Sequence, residues 1–418
     1  MASEIGKFFS WVSHPEELIC SILYLLRHSP PDEKTNKMDT SSSMKACYNF
    51  LEQTSRSFAA VIQELHPKLR DVICIYYLVL RGLDTIEDDM TINIPFKKEL
   101  LINFHTYLYE IGWTFEESGP NEKDAPLLVS FNIVIDEFLK LDVVYQNVIA
   151  DITKEMGKGM TIYIEKRITT IEDYDEYCHY VAGLVGIGLS KIFYASGLED
   201  EKVGNARELS NSMGLFLQKV NIIRDINEDL LDNRRIWPTQ IWSNYVNYIG
   251  DLIDEKNVLK STQCLNNMCL NSLKHIPQVI EYLSLIRDPS VFKFCAIPQV
   301  MAIATIATCL NNPTVLQENV KIRKGEAIRL IYEASDLNNC QKIMIRYLDV
   351  MLKKLANAQP DPNYDNLVAT ITSSKKALVS RTKFTFIDYA SRSAIVTAII
   401  ATIFYTFISL LSYIKSRQ

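Results

Sequence analysis

The chain has 418 residues, of which 48% are hydrophobic and 22% charged, and a formal net charge of −6. This composition supplies a large core and excludes an intrinsically disordered chain. Gly and Pro number only 14 each, too few for the many turns of a β-sandwich or a doubly wound sheet, and we therefore predict an all-α fold.

An apolar segment predicts the first buried helix. Residues 72–83, VICIYYLVLRGL, are apolar nearly all round, as in a helix at the centre of a bundle, and DTIED (84–88) follows directly. On a helix, Asp84, Glu87 and Asp88 lie at i, i+3 and i+4, so their carboxylates share one face. Like charges at this spacing repel, and either open water or a bound cation must offset the repulsion.

The D-x-x-E-D motif occurs a second time. NSMGLFLQKVNIIRDINEDL (211–230) predicts another buried helix that ends in acids, here Asp225, Glu228 and Asp229. A solvated acidic face is one interpretation. Two buried helices that both end in carboxylates favour instead a polar cavity in a helical bundle. Facing carboxylate clusters suit several Mg²⁺ ions, which in turn neutralise a diphosphate leaving group.

Cationic and hydroxyl side chains that suit a phosphate accompany both motifs. An Arg beside an Asp is often only an ion pair, but Arg81, which lies in an apolar helix three residues before Asp84, fits that interpretation least. The basic segment KIRKG (321–325) is either a solvated face or the site of a phosphate-bearing cofactor. The other candidates near the motifs are Ser55, Arg56, Ser57, Arg224, Arg234 and Arg235.

Aromatic residues form a further candidate site. Residues 173–191, DYDEYCHYVAGLVGIGLSK, place Tyr177 and Tyr180 beside His179. Aromatic faces stabilise carbocations, and a phenol near a diphosphate can transfer a proton. Ordinary core packing is the alternative for aromatic residues taken alone. The glycines of 183–188 do not follow the order of a dinucleotide-binding turn, and we expect them to allow close helix packing.

Two apolar runs in the C-terminal half require different explanations. Lys293, Pro298 and Gln299 interrupt residues 291–310, so we predict a buried helix that begins near Pro298. Residues 394–414 are uncharged throughout, and a bilayer-spanning helix needs roughly 20 such residues. We predict a C-terminal tail anchor, preceded by basic residues that suit a cytosolic membrane surface: Lys375, Lys376, Arg381, Lys383 and Arg392.

The chain therefore divides into three parts. We predict a main body over residues 1–372, a basic linker over 373–393 and the transmembrane helix over 394–414. Residues 373–418 carry seven Lys and Arg against one Asp, which leaves an acidic body and argues against a nucleic-acid partner. Nine Cys without a C-x-x-C pair, in a chain without a secretory signal, predict free thiols in a reducing compartment.

Five runs of residues carry a resemblance to one family. They are QTSRSFAAVIQ (53–63), YLVLRGLDTIEDDM (77–90), YCHYVAGLVGIGLS (177–190), NSMGLFLQKVNIIRD (211–225) and FCAIPQVMAIAT (294–305). In this order they closely resemble the eukaryotic squalene synthases, also called farnesyl-diphosphate farnesyltransferases. Five long blocks are far more specific than one acidic motif.

The resemblance implies both a fold and a reaction. The fold is an all-α isoprenoid-synthase bundle around a central cavity, with a monomeric catalytic body that faces the cytosol from the endoplasmic reticulum membrane. In the reaction, two farnesyl diphosphates condense head to head to presqualene diphosphate in the presence of Mg²⁺. NADPH then reduces this intermediate to squalene, a step of sterol biosynthesis.

The resemblance also implies roles for individual residues. The Mg²⁺ and diphosphate ligands of the family's acidic motifs correspond to Asp84, Glu87, Asp88, Asp225 and Asp229, with Glu228 as a helper. Tyr177 matches a tyrosine that transfers a proton in the first half-reaction, whereas Tyr180 has the weaker claim, and Phe294 resembles an aromatic residue of the second-step pocket. The expected substrate ligands are Ser55, Arg56, Ser57, Arg81, Arg224 and Arg234, and those of NADPH are Arg56, Arg81, Arg224, Lys321 and Arg323.

One loop departs from the family pattern. The family's G-R-x-F-W-P is N-R-R-I-W-P here (233–238), so we expect Asn233 and Ile236 to affect how this loop closes. NADPH rests on the resemblance alone, because the residues themselves show no dinucleotide fingerprint. Two alternatives stay open. One is a dehydrosqualene or phytoene synthase, which shares the carboxylates but lacks the hydride step, and the other is an inactive, membrane-tethered helical scaffold.

Overall fold

The computed structural model describes residues 14–27, 41–356 and 360–384, together with positions 401 and 405. Over these residues the chain forms helices and no β-strand, which confirms the predicted all-α fold. The predicted tail anchor over 394–414, apart from those two positions, and the linker beyond residue 384 lie outside the described residues.

The helices follow one another with short connections. In chain order they are α1 Pro15–Arg27, α2 Ser42–Thr54, α3 Arg56–Gln63, α4 Pro67–Asp88, α5 Ile94–Tyr107, α6 Ala125–Val129, α7 Phe131–Phe138, α8 Val143–Tyr163, α9 Ile171–Cys178, α10 Leu184–Ala195, α11 Glu201–Gly204, α12 Arg207–Arg224, α13 Ile226–Leu231, α14 Thr239–Trp242, α15 Val258–Leu273, α16 Ile276–Leu285, α17 Pro289–Cys309, α18 Lys324–Glu333, α19 Leu337–Ala356 and α20 Tyr364–Val379. A π-helix, His179–Gly183, and three 3₁₀ helices, Ile249–Ile253, Glu255–Asn257 and Pro313–Leu316, complete the set.

Helix α4 lies at the centre of the bundle. Pro67 occupies its first turn, where no backbone N–H is needed for the helical hydrogen bonds. Gly82 allows a close contact in its second half, because a Cβ atom there would lie 2.6 Å from the ring of Phe131. The helix continues through the first acidic motif and ends at Asp88, as the sequence predicts.

The second acidic motif differs from the single helix predicted over 211–230. Helix α12 ends at Arg224 and α13 begins at Ile226, with Asp225 between them at φ −95° and ψ 10°. The backbone hydrogen bonds continue through this point, since Asp225 N donates to Asn221 O and Asp229 N donates to Asp225 O, both at 2.9 Å. The chain therefore bends at the first acid of the motif.

A π-helical turn, His179–Gly183, joins α9 to α10 two residues after Tyr177. The glycines that follow pack against α12, as predicted: a Cβ atom on Gly186 would lie 2.4 Å from the carbonyl oxygen of Ser210. This close approach brings the helix that carries Tyr177 beside the helix that leads to Asp225.

Helix α17 begins earlier than the sequence indicated. It spans Pro289–Cys309, and the start predicted near Pro298 is wrong. The N-terminal signals lie upstream, where Asp288 accepts hydrogen bonds from the backbone N–H groups of Ser290 and Val291. Pro298 lies inside the helix instead.

Two described segments, Ile171–Ala195 and Pro289–Cys309, are long and apolar enough to cross a membrane when judged by length and composition alone. Of the most apolar window in Pro289–Cys309, 78% is buried inside the protein. This segment is therefore a core helix, which agrees with the burial expected for residues 291–310.

The folded body extends past the predicted boundary at residue 372. Helix α20 crosses this boundary, and Ile371 and Leu378 are buried on its two sides, at 0% and 3% exposure. Beyond the helix, Lys383 N donates to the side chain of Asn338 at 2.7 Å. The sequence predicted a linker after residue 372 because basic residues are frequent there. Apolar residues such as Leu378 alternate with them and pack on the core.

Candidate active site

The two acidic motifs and Tyr177 line one cavity of about 200 Å³. Helix α4 delivers the first motif, the bend between α12 and α13 delivers the second, and α9 delivers the tyrosine. We call this the acidic cavity. Its charged and phenolic lining comprises Asp84, Glu87, Asp88, Tyr177, Asp225, Glu228, Asp229 and Arg234.

Asp88 of the first motif is exposed, whereas Asp84 and Glu87 are half-buried and lose part of their hydration. This desolvation raises the pKa of Asp84 to about 7, and the neighbouring charge of Arg81 opposes the rise. Desolvation raises the pKa of Glu87 to about 8, with the charges of Asp88 and Asp84 acting in the same direction. Lys97, buried at 5% exposure, donates from Nζ to the backbone carbonyl of Glu87 at 2.7 Å. The cavity thus concentrates negative charge that a cation would relieve.

The second motif is held by hydrogen bonds at its first acid. Arg224 donates to both carboxylate oxygens of Asp225, Nε to Oδ1 at 2.7 Å and a terminal nitrogen to Oδ2 at 2.6 Å. Asn319 Nδ2 donates to Oδ1 of the same residue at 2.9 Å. Burial raises the pKa of Asp229 to about 6, although the nearby Arg234 lowers it. Three hydrogen bonds therefore fix the orientation of the Asp225 carboxylate. The positive charge of Arg234 only partly offsets the cost of burying the Asp229 carboxylate.

Arg234 joins the two motifs. Its guanidinium lies 3.0 Å from the carboxylate of Asp88 and 2.9 Å from that of Asp229. Trp237, three residues later and almost fully buried, donates from Nε1 to the carbonyl of Ile222 at 3.2 Å and fixes the loop to α12. A guanidinium between two acids occupies the position that a cation between the motifs would take.

Tyr177 has an environment that keeps its phenol protonated. Burial raises its pKa well above the ordinary value of 10, and the charges of Glu87 and Asp88 act in the same direction. Its ring packs edge to face on Tyr163, with centroids 5.3 Å apart. A neutral phenol at the edge of the carboxylate cluster can hold or pass one proton.

An apolar chamber of about 170 Å³ adjoins the acidic cavity, and both are lined by Val181 and Gln218. Phe193 and Phe294 pack edge to face within the chamber, with centroids 6.0 Å apart. Among the residues that the structure describes, no Lys, Arg, Asp or Glu lines this chamber. A molecule with a charged head and a hydrocarbon chain therefore matches the joined cavities.

The comparisons with known proteins agree with this geometry. The model of the squalene/phytoene synthase family matches residues 51–326. The squalene synthase of Bos taurus is 47% identical over 385 residues, which cover 90% of this chain and 91% of the bovine one.

The chain belongs to the squalene/phytoene synthase family. The squalene synthase of Homo sapiens is 48% identical over 357 residues, 85% of each chain. A solved complex of TcSQS with the ligand BPH1237 superimposes with a TM-score of 0.78 at 40% identity, over 81% of this chain and 99% of the other. The predicted family and fold class are confirmed.

The carboxylates of the acidic cavity suit Mg²⁺ ions whose coordination is completed by other ligands. Among the described residues, no three His, Cys, Asp or Glu side chains converge closely enough to hold a metal ion by themselves. The carboxylates face the acidic cavity from two sides, and Mg²⁺ commonly takes one or two carboxylates while phosphate and water complete its shell. The donor set therefore fits Mg²⁺ ions bound together with a diphosphate.

Several predicted residues lie apart from the acidic cavity. Arg81 points elsewhere: it donates to the hydroxyl of Tyr77 at 3.2 Å and lies 3.6 Å from Asp124. Ser55 caps α3 by accepting a hydrogen bond from Phe58 N, while the side chains of Arg56 and Ser57 lie outside the described part of the structure. The binding roles predicted for these residues stay predictions.

The basic segment 321–325 also lies outside the acidic cavity. Lys321 is exposed. Arg323 is held by Glu17, at 2.6 Å, and by Glu326, at 3.3 Å. Tyr180, the weaker of the two tyrosine candidates, packs on Gly159 and does not line the cavity.

Four further polar residues lie near the motifs and were not predicted from the sequence. Gln218 and Asn221 line the acidic cavity and precede Asp225 by seven and four positions, so helical spacing alone would have found them. Lys97 and Asn319 carried no such signal, because Lys97 lies on the next helix, α5, and Asn319 follows Asp225 by 94 positions.

The departure at Asn233 has a structural explanation. This residue has φ 59°, a left-handed conformation that Gly adopts without strain and Asn tolerates better than most residues. Asn therefore suits the left-handed turn at the position where the family pattern has Gly. Ile236 lines the acidic cavity and Trp237 remains buried.

Proposed function

We propose that this chain is a squalene synthase, which condenses two farnesyl diphosphates head to head to presqualene diphosphate and reduces this intermediate to squalene. The curated relatives at 47% and 48% identity are squalene synthases, which supports a prenyl-transferring enzyme of the same type. The observation that carries the proposal is the junction at Val181 and Gln218, where a carboxylate-lined cavity meets an uncharged one.

The acids of both motifs act on the diphosphate of the substrate. Asp84, Glu87 and Asp88 on one side, with Asp225 and Asp229 on the other, would hold Mg²⁺, which neutralises the charge that develops on the departing diphosphate. Arg224 orients Asp225 by its two hydrogen bonds. Arg234 then exchanges a carboxylate for a phosphate oxygen, because guanidinium binds both in the same bidentate geometry.

The apolar chamber acts on the hydrocarbon. Loss of diphosphate leaves an allylic cation, and an uncharged lining without water prevents its capture as an alcohol. Phe294 and Phe193 present aromatic rings there, whose faces stabilise positive charge. Attack by the double bond of the second substrate and loss of a proton close the cyclopropane of presqualene diphosphate.

Tyr177 is the proposed proton carrier of this first half-reaction. It lies at the boundary of the acidic cavity, and its raised pKa keeps the phenol neutral, so its oxygen accepts the substrate's proton as its own O–H proton leaves. A phosphate oxygen or a neighbouring carboxylate then takes up the proton that the phenol releases.

NADPH is the proposed hydride donor of the second half-reaction. Lys321, exposed and without a carboxylate partner among the described residues, suits a phosphate group. Arg323 has to release Glu17 before it can bind one. The assignment of these two residues, and of Arg56, Arg81 and Arg224, to NADPH rests on the family resemblance.

The cellular setting is part of the proposal. A body that faces the cytosol, anchored in the endoplasmic reticulum membrane by residues 394–414, would release an apolar C30 product directly into lipid, where its transfer is favourable. Within the described part, the helix nearest this segment carries the cations Lys375 and Lys376.

Product identification tests the proposal. The full-length chain in lipid nanodiscs is incubated with labelled farnesyl diphosphate and Mg²⁺, with and without NADPH. Squalene with NADPH and presqualene diphosphate without it is the expected result. Dehydrosqualene in both incubations would assign the chain to the synthases without a hydride step, and a failure to bind Mg²⁺ and diphosphate would indicate an inactive scaffold.

A further inference from the structure

A second polar cavity, of about 560 Å³, lies on the far side of Tyr177. It shares Glu87, Asp88, Tyr177 and Arg234 with the acidic cavity, so the two adjoin at these side chains. We call it the outer cavity. The cations that line it in addition to Arg234 are Lys97, Lys166, Arg167 and Arg235.

Two of these cations are neutralised or engaged by protein groups. Lys166 lies 2.8 Å from both Asp173 and Glu176. Lys97 donates to the backbone carbonyl of Glu87. Neither side chain is therefore available for a ligand without a change of partner.

Arg167 and Arg235 differ from the other cations. Both are exposed, and neither has a carboxylate partner among the described residues. Arg235 donates instead to the hydroxyl of Tyr248 and lies over its ring, 5.0 Å from the centroid. An aromatic ring and a phenol orient the guanidinium without neutralising its charge.

Backbone hydrogen bonds hold the two arginine-bearing segments side by side. Thr239 N donates to Ile168 O at 3.3 Å, and Gln240 N donates to Thr169 O at 2.8 Å. Ile168 directly follows Arg167, and Thr239 lies four positions after Arg235, so these bonds connect the two segments. The basic wall of the outer cavity is therefore part of the folded body and not a pair of independent side chains.

The chemistry of the reaction requires a polar route away from the acidic cavity. When the carbon–oxygen bond of a prenyl diphosphate breaks, the diphosphate keeps the electron pair and becomes a separate, highly charged anion. The apolar chamber on one side is lined by no charged side chain of the described residues. The outer cavity on the other side offers cations that begin with Arg234 and continue to Arg167 and Arg235.

We propose that the outer cavity binds inorganic diphosphate as it leaves the acidic cavity, with Arg167 and Arg235 as its outer ligands. This inference rests on the proposed function, since it concerns the leaving group of that reaction. Hydrocarbon and diphosphate then separate in opposite directions from the same junction. Long-range attraction by two unpaired guanidinium groups favours this direction for the anion.

Calorimetric titration of inorganic diphosphate into the full-length chain tests the site without turnover. The titration is done in the absence of Mg²⁺, because the unneutralised acidic cavity then repels the anion and binding reports on the outer cavity. The test variant is Arg167→Gln with Arg235→Gln. We expect it to bind diphosphate about tenfold more weakly than the wild type, since each guanidinium supplies charge-assisted hydrogen bonds.

Two control proteins make the result specific. Arg207→Gln with Lys260→Gln removes the same charge from exposed positions outside the outer cavity and should bind as the wild type does. Arg167→Lys with Arg235→Lys keeps the charge and should retain most of the affinity. Equal affinity in the Gln variant and the wild type, or no measurable binding to the wild type, would overturn the proposal.

A kinetic measurement connects the site to the reaction. Inorganic diphosphate should inhibit steady-state turnover about tenfold more weakly in the double Gln variant than in the wild type, and about as strongly in the double Lys variant as in the wild type. A wild type that binds diphosphate in this manner but makes no presqualene diphosphate would refute the proposed function and leave the anion site in place.

Discussion

The guanidinium of Arg234 lies 3.0 Å from the carboxylate of Asp88, a residue 146 positions earlier in the chain. The same guanidinium lies 2.9 Å from Asp229. One cation thus joins the acid that closes the first motif to the acid that closes the second. The contact explains how two like-charged clusters approach each other in the described structure.

The first prediction concerns Arg234→Gln, which should affect two ligands in opposite directions. Mg²⁺ affinity should rise by about tenfold, because a competing positive charge disappears. The KM for farnesyl diphosphate should also rise, by about tenfold, because a guanidinium contact to phosphate is lost. Metal titration and steady-state kinetics measure the two effects, and a fall in both affinities would contradict the bridging role.

The second prediction separates the motifs from ordinary surface acids. Asp84→Asn and Asp225→Asn should each slow presqualene diphosphate formation by at least about 100-fold, because each removes a charge that balances the departing diphosphate. Asp232→Asn, an exposed acid in the same segment, is the matched control and should stay near the wild-type rate. Near-normal formation by either of the first two variants would refute a shared diphosphate site.

The third prediction distinguishes the two tyrosines. Tyr177→Phe keeps the ring and removes the hydroxyl, and should slow the first half-reaction by about 100-fold or more. Tyr180→Phe keeps the packing on Gly159 and should have little effect, since this side chain does not line the acidic cavity. Rapid-quench measurement of presqualene diphosphate gives both rates, and equal losses would leave the assignment of Tyr177 without support.

The fourth prediction is a loss of stability in acid that arises away from the site. His275 is hydrogen-bonded to Ser212 at 2.7 Å, and burial, assisted by the charge of Lys219, lowers its pKa from 6.5 to about 3. Between pH 6.5 and about 3, this histidine is protonated in the unfolded chain and neutral in the folded chain. The free energy of unfolding therefore falls as the pH falls through this range.

Between pH 7.5 and pH 5, this histidine should contribute a loss of roughly 2 kcal/mol in the free energy of unfolding. His275→Gln should show a correspondingly smaller loss over the same range. Denaturant unfolding of both proteins at the two pH values measures the difference, and parallel losses would show that His275 is not the group responsible.

The fifth prediction concerns the left-handed residue of the loop. Asn233→Gly should preserve both stability and activity, because Gly adopts φ 59° without strain. Asn233→Ala should cost about 1 kcal/mol, a fall of roughly 1–2 °C in Tm for a body of this size. Thermal scans of the two variants provide the comparison, and an alanine variant as stable as the glycine one would remove the conformational argument.

Much of the site could be predicted from local sequence. An apolar helix that ends in D-x-x-E-D places Asp84, Glu87 and Asp88 on one face by helical geometry alone, and the structure agrees. The role of Tyr177 came from the family resemblance, because core packing explains an aromatic residue in this segment equally well, and the structure places it in the same cavity.

The remaining features depend on tertiary contacts and on a local bend that no sequence pattern shows. No periodicity indicates that Arg234 reaches Asp88, or that Lys97 reaches the carbonyl of Glu87. The bend at Asp225 also escaped prediction, because backbone hydrogen bonding continues through it and its sequence is compatible with an unbroken helix.

The most direct test of the whole account is a crystal structure with Mg²⁺ and a thiodiphosphate analogue of farnesyl diphosphate, whose carbon–sulfur bond resists ionisation. We predict that diphosphate and metal lie between Asp84–Asp88 and Asp225–Asp229. The hydrocarbon should pass Val181 and Gln218 and enter the apolar chamber. A diphosphate bound at Lys321 and Arg323, with no metal between the two motifs, would contradict it.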